Sequence, residues 1–393
     1  MKMCWACDET SLSSTGGMNS IMKKIGILTY HRVFNFGSLL QTYALQHYLE
    51  GKSCNVEVID YYPSRLQKKE LLFHVNPKWR KPFYKMVAHL IPAVISRLLG
   101  YKMMDDFLKN YVKLTDKTYE TADDLSKNVP VEDIYMNGSD QIWNVDTAGG
   151  TVDEVFFMNF LSDNAVRTAY AGSFGKDDFN EDDIKKIGER LEKYRAISVR
   201  EKSGLSILEK AGIENGKWVL DPTFLLKADE WLKIAKSVRL PEHYVLVYNL
   251  NRNPRITELA VKIAGQKNIP IVNFAHSFVF IKGAKNIVYP TPNSFITMFA
   301  NADYVVTDSF HGTAFSINFN RQFICIPAPR FNSRLESILE LVGLEERLLW
   351  EQDDFEIINR KIDYSKINPV IECERRKSDK FIQEILRLQS ASC

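Results

Sequence analysis

The chain has 393 residues, of which 45% are hydrophobic and 25% charged. This length exceeds the ~100 to 150 residues of an ordinary domain, and the apolar content excludes a disordered protein, so we expect two domains. Lys and Arg total 51 against 49 Asp and Glu, which gives a net charge of +2. Such a balance argues against a dedicated nucleic-acid binder, and no nucleic-acid partner is expected.

The N-terminal residues 1–22 lack the apolar core of a signal peptide, and the 6 cysteines are scattered. No stretch reaches the ~18 uncharged apolar residues that a membrane span requires. These features predict a cytoplasmic protein with a flexible leader over residues 1–22. Cys4 and Cys7 form a C-x-x-C, but no second pair accompanies them, so we expect no metal there.

Short β-rich segments alternate with helical segments beyond residue 22, as is typical of parallel βα units. One series runs from KIGILTY to WVLDPTFLL, and a second from YVLVYNL to QFICIP. The sequence therefore predicts an α/β protein with two Rossmann-like lobes, each with a parallel sheet, over residues 23–230 and 231–375. Residues 376–393 are predicted to form a C-terminal helix.

Residues 65–102 form a basic insertion, with 9 Lys or Arg and the single acid Glu70. The segment includes the apolar run MVAHLIPAVISRLL. It is interpreted either as a peripheral contact with anionic lipid at the inner face of a membrane, or as an insertion packed on its own lobe. Pro92 argues against one continuous interfacial helix.

The standard motifs for dinucleotides, P-loop phosphates, hydrolase nucleophiles and zinc are all absent from the sequence. The histidines never pair at helical ligand spacing, so no metal site is expected.

The first βα turn, HRVFNFGSLLQ, places a glycine before a predicted helix. Ser38 and Gln41 predict a capping box, and Gly51 is expected to end the helix. A glycine turn at a helix N-terminus is also the kind of site that holds an anion, so Gly37 and Ser38 have two interpretations. Asn35 is expected to face the cleft.

The loop NGSDQIWN follows another predicted strand and concentrates Ser139, Asp140 and Gln141 beside Trp143. Parallel strands place ligand-binding loops at their carboxyl ends. Polar groups beside an aromatic face suit a sugar, whose hydroxyls need hydrogen bonds and whose C–H faces stack on rings. The alternative is a turn in which Asp140 caps a helix.

Two arginines are candidates for binding an anion. Arg200 ends the strand AISVRE, where its planar fork suits a carboxylate or phosphate; a salt bridge with Glu201 is the alternative. Arg334 lies in the first turn of a helix predicted to begin at Asn332 or Ser333, where a cation opposes the helix dipole. An anionic ligand or a nearby acid would favour it there.

The segment ADYVVTDSFHGTAF runs from a buried strand through Asp308 and Ser309 into a helix predicted to begin at Gly312 or Thr313. His311 therefore lies at a helix N-terminus, whose dipole depresses its pKa. A bound anion would offset that effect, so that a protonated imidazole acts as a general acid. A core or capping histidine is the alternative.

Seven segments together resemble the polysaccharide pyruvyl transferase family: NFGSLLQ, GSDQIWN, YAGSFG, SVRE, DPTFLL, TDSFHG and NSR, in this order over residues 24–350. The resemblance implies a fold like that of GT-B glycosyltransferases. It implies phosphoenolpyruvate as donor substrate, no further cofactor, and a sugar acceptor of a cell-surface polysaccharide, free or lipid-linked. The product would be a pyruvate ketal.

The resemblance also implies roles for the candidate residues. His311 would protonate the donor, and Asp140 or Asp308 would accept a hydroxyl proton. The donor would be held by Arg200, Arg334, Ser309, Gly312 and Thr313, and the acceptor by Asn35, Gly37, Ser38, Ser139, Gln141 and Trp143. Some members have an arginine two residues before the histidine, where this chain has Ser309. A nucleotide-sugar-dependent GT-B glycosyltransferase and a non-catalytic sugar-binding subunit are the rival interpretations.

Overall fold

A computed structural model describes residues 22–67, 83–146, 153–275, 279–328, 332–350 and 355–389. Cys4, Cys7 and nearly all of the predicted leader lie outside these ranges, as do residues 68–82 of the basic insertion. Within the described residues, no helix has both the length and the apolar character needed to cross a membrane.

The first lobe is built on a parallel sheet with the strand order β3-β2-β1-β4-β5-β6-β7. Its strands are β1 (Lys24–Leu28), β2 (Asn55–Tyr61), β3 (Leu114–Tyr119), β4 (Ile134–Asn137), β5 (Arg167–Gly172), β6 (Tyr194–Val199) and β7 (Lys217–Trp218). Its helices are α1 (Phe36–Glu50), α2 (Phe83–Tyr111), α3 (Ala122–Lys127), α4 (Glu181–Leu191) and α5 (Lys202–Lys210). The strand order reverses at β1, which pairs with both β2 and β4, so a crevice opens at the carboxyl ends of β1 and β4.

The second lobe contains a parallel sheet with the order β10-β9-β8-β11-β12. Its strands are β8 (Val245–Tyr248), β9 (Ile271–Ala275), β10 (Lys285–Val288), β11 (Tyr304–Thr307) and β12 (Gln322–Cys325). Its helices are α6 (Ala228–Leu232), α7 (Pro254–Lys267), α8 (Pro292–Ala300), α9 (Phe310–Asn318) and α10 (Ser333–Val342). The central strands are short apolar runs buried on both faces, as expected where helices cover a parallel sheet. The predicted fold class, two α/β lobes with parallel sheets, is confirmed.

The C-terminal helix α11 (Tyr364–Leu386) begins well before residue 376, where the sequence placed its start. Near its first turn, the Tyr364 hydroxyl donates to the carbonyl of Ser316 in the second lobe at 3.3 Å. Further along, Ser378 Oγ accepts from the Leu220 amide at 3.1 Å, and Asp379 accepts from the Tyr48 hydroxyl at 2.6 Å. The helix therefore packs on both lobes rather than on one.

Aromatic residues fill the junction between the lobes. Phe36, at the start of α1, packs edge-on against Phe274 of β9 with ring centroids 4.9 Å apart. Trp231 lies 5.8 Å from Tyr43 of α1 and 5.0 Å from Phe315 of α9, measured between ring centroids. Because these contacts join one continuous buried core, the two lobes share an apolar interface.

Replacement of Trp231 by alanine is expected to destabilise the protein by about 3 to 5 kcal/mol, because it opens a cavity at this interface. The indole is 0% exposed, and its N–H donates to the Thr223 carbonyl at 3.1 Å. Its neighbour Leu232 is 51% exposed, so Leu232→Ala is the matched control and should change stability by about 0.5 kcal/mol or less. Urea unfolding measures both variants; equal losses would show that Trp231 does not hold the lobes together.

Candidate active site

The candidate site lies where the carboxyl ends of the first sheet meet two helix N-termini of the second lobe. Asp140 follows β4, Arg200 follows β6 and Asp221 follows β7. His311 lies in the first turn of α9, and Arg334 in the first turn of α10. The fold thus brings together charged residues that are widely separated in the sequence.

Arg200 is the centre of the cluster, with a side chain that is 0% exposed. Its Nη1 donates to Asp221 Oδ2 at 2.9 Å and lies 3.2 Å from Ser139 Oγ, and its Nη2 donates to Asp140 Oδ1 at 3.3 Å. The guanidinium also lies 5.1 Å from the ring centroid of Phe310. Two carboxylates therefore neutralise this buried cation, which limits its capacity to bind a further anion.

Asp140 is held in a fixed geometry from several sides. Its backbone has φ of +83°, a left-handed conformation that is strained for a residue with a side chain. Its carboxylate accepts from the Ser38 hydroxyl and from the Gln141 amide. Burial by itself would raise the pKa of Asp140, but Arg200 and the Ser38 hydrogen bond outweigh it and lower the pKa. The group is therefore an anion at neutral pH.

His311 lies across the lobe junction from α1. Its Nε2 is buried without a hydrogen-bond partner among the described residues and lies 3.8 Å from Asp221 Oδ2. The other side of the ring contacts the backbone of Gly37, where an added Cβ would lie 1.9 Å from Nδ1. Burial lowers the pKa of His311 to about 4, and Arg200 contributes to this although Asp221 opposes it. The imidazole is thus neutral at pH 7.

Arg334 is the second cation of the site. With the Gln141 carboxamide oriented so that its oxygen faces Arg334, both terminal nitrogens donate to that oxygen at 3.0 Å. Within the described residues it forms no ion pair, and its buried Nε lacks a hydrogen-bond partner. Burial and the repulsion from Arg200 lower the pKa of Arg334 to about 10. Glu201 attracts this cation but does not bond to it, so an anionic ligand in direct contact would stabilise the guanidinium further.

Two residues that the sequence analysis placed in the site bond to other parts of the protein instead. The oxygens of Asp308 accept from the backbone amides of Leu250 and Asn251, both at 2.8 Å, so Asp308 shapes the loop after β8. Trp143 is 1% exposed, and its indole N–H lies 3.3 Å from the Phe156 carbonyl. The ring packs within the first lobe and does not face the cleft, which corrects the expectation that it stacks on a sugar.

The predicted capping box at Ser38 is wrong, because α1 begins at Phe36 and its N-cap is Asn35. The Asn35 side chain accepts from the Gly37 amide at 2.9 Å. Ser38 is instead buried and donates to Asp140. The expected end of the helix at Gly51 is confirmed.

Ser309 has the corresponding capping role at α9, because its Oγ accepts from the Gly312 amide at 3.3 Å. The helix begins at Phe310, so His311 lies inside its first turn. The Thr313 hydroxyl donates to the Ser309 carbonyl and lies 2.8 Å from Cys325 Sγ. Its side chain therefore faces the core, and the amides of Gly312 and Thr313 already donate to Ser309, so neither Ser309 nor Thr313 offers a free side-chain group to a donor.

The sequence interpretation missed Asp221 as a site residue. Asp221 caps a short turn by accepting from the Thr223 amide at 3.0 Å, and its other oxygen contacts Arg200. Its position three residues after the end of β7, before a proline, was the available signal. Glu201, considered only as a partner of Arg200, is 1% exposed and accepts from Ser173 Oγ at 2.9 Å.

The described residues contain no group of three His, Cys, Asp or Glu side chains that could hold a metal ion.

The fold and this buried charge cluster define a two-lobed, GT-B-like α/β protein. The chain belongs to the polysaccharide pyruvyl transferase family, whose sequence model matches residues 35–328. No curated protein matches the chain significantly.

Solved structures with a similar fold include UDP-N-acetylglucosamine 2-epimerases. UDP-N-acetylglucosamine 2-epimerase from Rickettsia bellii aligns with a TM-score of 0.50 at 12% identity, over 93% of this chain and 96% of that chain. S. aureus MnaA bound to UDP gives a TM-score of 0.50 at 12% identity, over 95% of this chain and 99% of that chain. UDP-GlcNAc 2-epimerase from Neisseria meningitidis gives a TM-score of 0.48 at 10% identity, over 93% of this chain and 99% of that chain. At these identities the likeness shows the fold alone.

Gly37→Ala is expected to destabilise the protein by about 1 to 3 kcal/mol, because the new methyl group overlaps the His311 ring. Gly265→Ala in α7 is the matched control, since a Cβ there meets nothing within 4 Å. Alanine is the better helix former, so the control should gain about 0.5 to 1 kcal/mol. Thermal and urea unfolding measure the change in stability of each variant. A gain in stability in both variants would show that the His311 ring does not require glycine at position 37.

His311 is expected to make stability depend on pH. Its pKa is about 4 in the folded protein against an ordinary value of 6.5. Between these values the unfolded chain binds more protons, so the stabilisation is complete above about 6.5 and is lost as the pH falls toward about 4. His311→Gln should flatten the rise in unfolding free energy over this window.

His243→Gln provides a control of opposite sign, because the Asp303 hydrogen bond raises the pKa of that exposed histidine. Its small contribution is present at low pH and lost as the pH rises above its ordinary pKa. Urea unfolding at a series of pH values checks both variants. An unchanged pH dependence in His311→Gln would contradict a depressed pKa.

Proposed function

We propose that the protein transfers the pyruvyl group of phosphoenolpyruvate onto two hydroxyls of a sugar, forming a pyruvate ketal and releasing phosphate. The observation that carries the proposal is a pair of buried groups at the lobe junction to which no carboxylate is bonded among the described residues. They are Arg334, whose Nε lacks a hydrogen-bond partner, and the Nε2 of His311. Membership of the pyruvyl transferase family supports the same chemistry.

Arg334 is the better anchor for the donor anion. The sequence interpretation gave that role first to Arg200, but Asp140 and Asp221 already neutralise the Arg200 guanidinium. Arg334 supplies a planar fork for a carboxylate or phosphate. The N-termini of α9 and α10 add positive potential from their backbone amides. In this role Arg334 takes the place of the arginine that some family members have at the position of Ser309.

His311 is the proposed general acid. An anion beside the ring favours the imidazolium, so donor binding should raise the pKa of His311 from about 4 and draw a proton from solvent. The proton on His311 then passes to the methylene carbon of the donor. The adjacent carbon, which carries the phosphate, becomes electrophilic. Asp221, 3.8 Å from Nε2, stabilises the charged ring.

The acceptor reacts in two steps. The oxygen of a first hydroxyl bonds to the electrophilic carbon, and its proton leaves toward Asp140. Asp140 is preferred because it lies in the charge cluster beside Arg200, whereas Asp308 holds the loop after β8. The oxygen of a second hydroxyl then bonds to the same carbon as the C–O bond to phosphate breaks. In the net reaction one hydroxyl proton ends in the new methyl group and the other on phosphate.

Phosphoenolpyruvate is expected to raise the melting temperature of the wild-type protein, because a ligand that binds only the folded state stabilises it. Arg334→Gln should lose most of this increase while remaining folded, since it removes no protein ion pair among the described residues. Arg360→Gln is the matched control, because that guanidinium is 65% exposed and should leave the response unchanged. If UDP-GlcNAc raised the melting temperature and phosphoenolpyruvate did not, the protein would be a nucleotide-sugar-dependent enzyme and the proposal would be wrong.

Calorimetry and turnover test the role of His311. Titration at pH 7 in two buffers of different ionisation enthalpy should show proton uptake with phosphoenolpyruvate, and none with His311→Gln. Release of phosphate in the presence of acceptor sugars should fall by about 10² to 10⁴ in the same variant. Turnover at the wild-type rate in His311→Gln would rule out the assignment of the acid.

A further inference from the structure

The helix α2 continues through Pro92, contrary to the expectation from the sequence that this proline interrupts it. Its outer face exposes three large apolar side chains in one stripe. Ile95, Leu98 and Leu99 are 48%, 49% and 43% exposed. Their spacing of three and four residues places them on one side of the helix, and Lys102 continues the stripe and is exposed. Single exposed apolar residues are ordinary, but a contiguous stripe on a helix marks a binding surface.

The charged residues in the first 22 residues of this helix are all basic. From Phe83 to Met104 its sequence contains Lys85, Arg97 and Lys102 and no acidic residue. Acidic residues begin only at Asp105. Up to Lys102 the apolar stripe is accompanied only by positive charge, and the exposed Asp106, one turn later, marks the end of this part. Such a surface suits apolar chains beneath a layer of negative charge, which is the chemistry of an anionic lipid bilayer.

The opposite face of α2 packs on the protein beside the candidate active site. A Cβ added to Gly100 would lie 1.9 Å from the ring of Phe34, so the two residues are in direct contact. Phe34 also lies 6.0 Å from Tyr289 of the second lobe between ring centroids, and it immediately precedes Asn35, the N-cap of α1. The helix thus joins the exposed stripe to the loop that leads to Gly37 and Ser38.

We propose that α2 lies in the plane of an anionic phospholipid bilayer, with Ile95, Leu98 and Leu99 among the acyl chains and Lys102 at the head groups. The contact is peripheral and does not span the bilayer. It holds the junction of the lobes near the lipid surface, where a lipid-linked sugar is accessible. The proposal does not depend on the identity of the donor.

Sedimentation of the full chain with vesicles tests this proposal. The protein should bind vesicles that contain phosphatidylglycerol and not vesicles of phosphatidylcholine alone, and added NaCl should weaken binding. The double variant Leu98→Ser/Leu99→Ser should reduce partitioning by about tenfold or more, because its polar side chains no longer enter the bilayer. Lys102→Glu should also weaken binding, through charge alone.

The matched control is Leu232→Ser/Val261→Ser, which removes two equally exposed apolar residues outside α2, at 51% and 53% exposure, and should bind vesicles as the wild type does. Absence of binding to phosphatidylglycerol, or binding that survives both α2 variants, would overturn the proposal. So would a wild-type dimer in light scattering that the double variant dissociates, since the stripe would then be covered by a second copy of the chain.

Discussion

The site depends on one buried ionic interaction, the guanidinium of Arg200 held between Asp140 and Asp221. Taking three charges out of water is costly, and only close pairing compensates for the lost hydration. The pairing fixes the loops after β4, β6 and β7 with respect to one another. Loss of Arg200 would leave two buried carboxylates without their cation, so the loops after β4 and β7 both depend on the loop after β6.

The same burial determines the pKa values of the two remaining basic groups of the site. His311 and Arg334 lie in the water-poor environment that Arg200 and its carboxylates occupy, but neither has a carboxylate bonded to it. Burial therefore lowers both pKa values, to about 4 for the imidazole and about 10 for the guanidinium. A bound anion would relieve the cost of both groups together. This electrostatic cost is the physical basis of the anionic donor that we propose.

The apolar junction of the lobes determines where that donor enters. Phe36 and Trp231 hold α1 against the second lobe, and the His311 ring contacts Gly37 at the edge of this junction. No ligand atom fits between the ring and the glycine while they touch. A donor must reach His311 from the side of Asp221 and Arg334, or enter when the lobes separate.

The sequence alone determined the two α/β lobes, because buried parallel strands are short apolar runs whose alternation with helices is visible locally. It also gave Arg200, Arg334 and His311 as candidate site residues, since a charged residue directly after a strand or in a first helical turn is visible from its own segment. Only the tertiary structure decided how these residues are paired. The roles of Asp221, Asp308 and Trp143 depend on neighbours that are distant in the chain, and no local pattern reports which strand ends meet or which side of a turn faces the core.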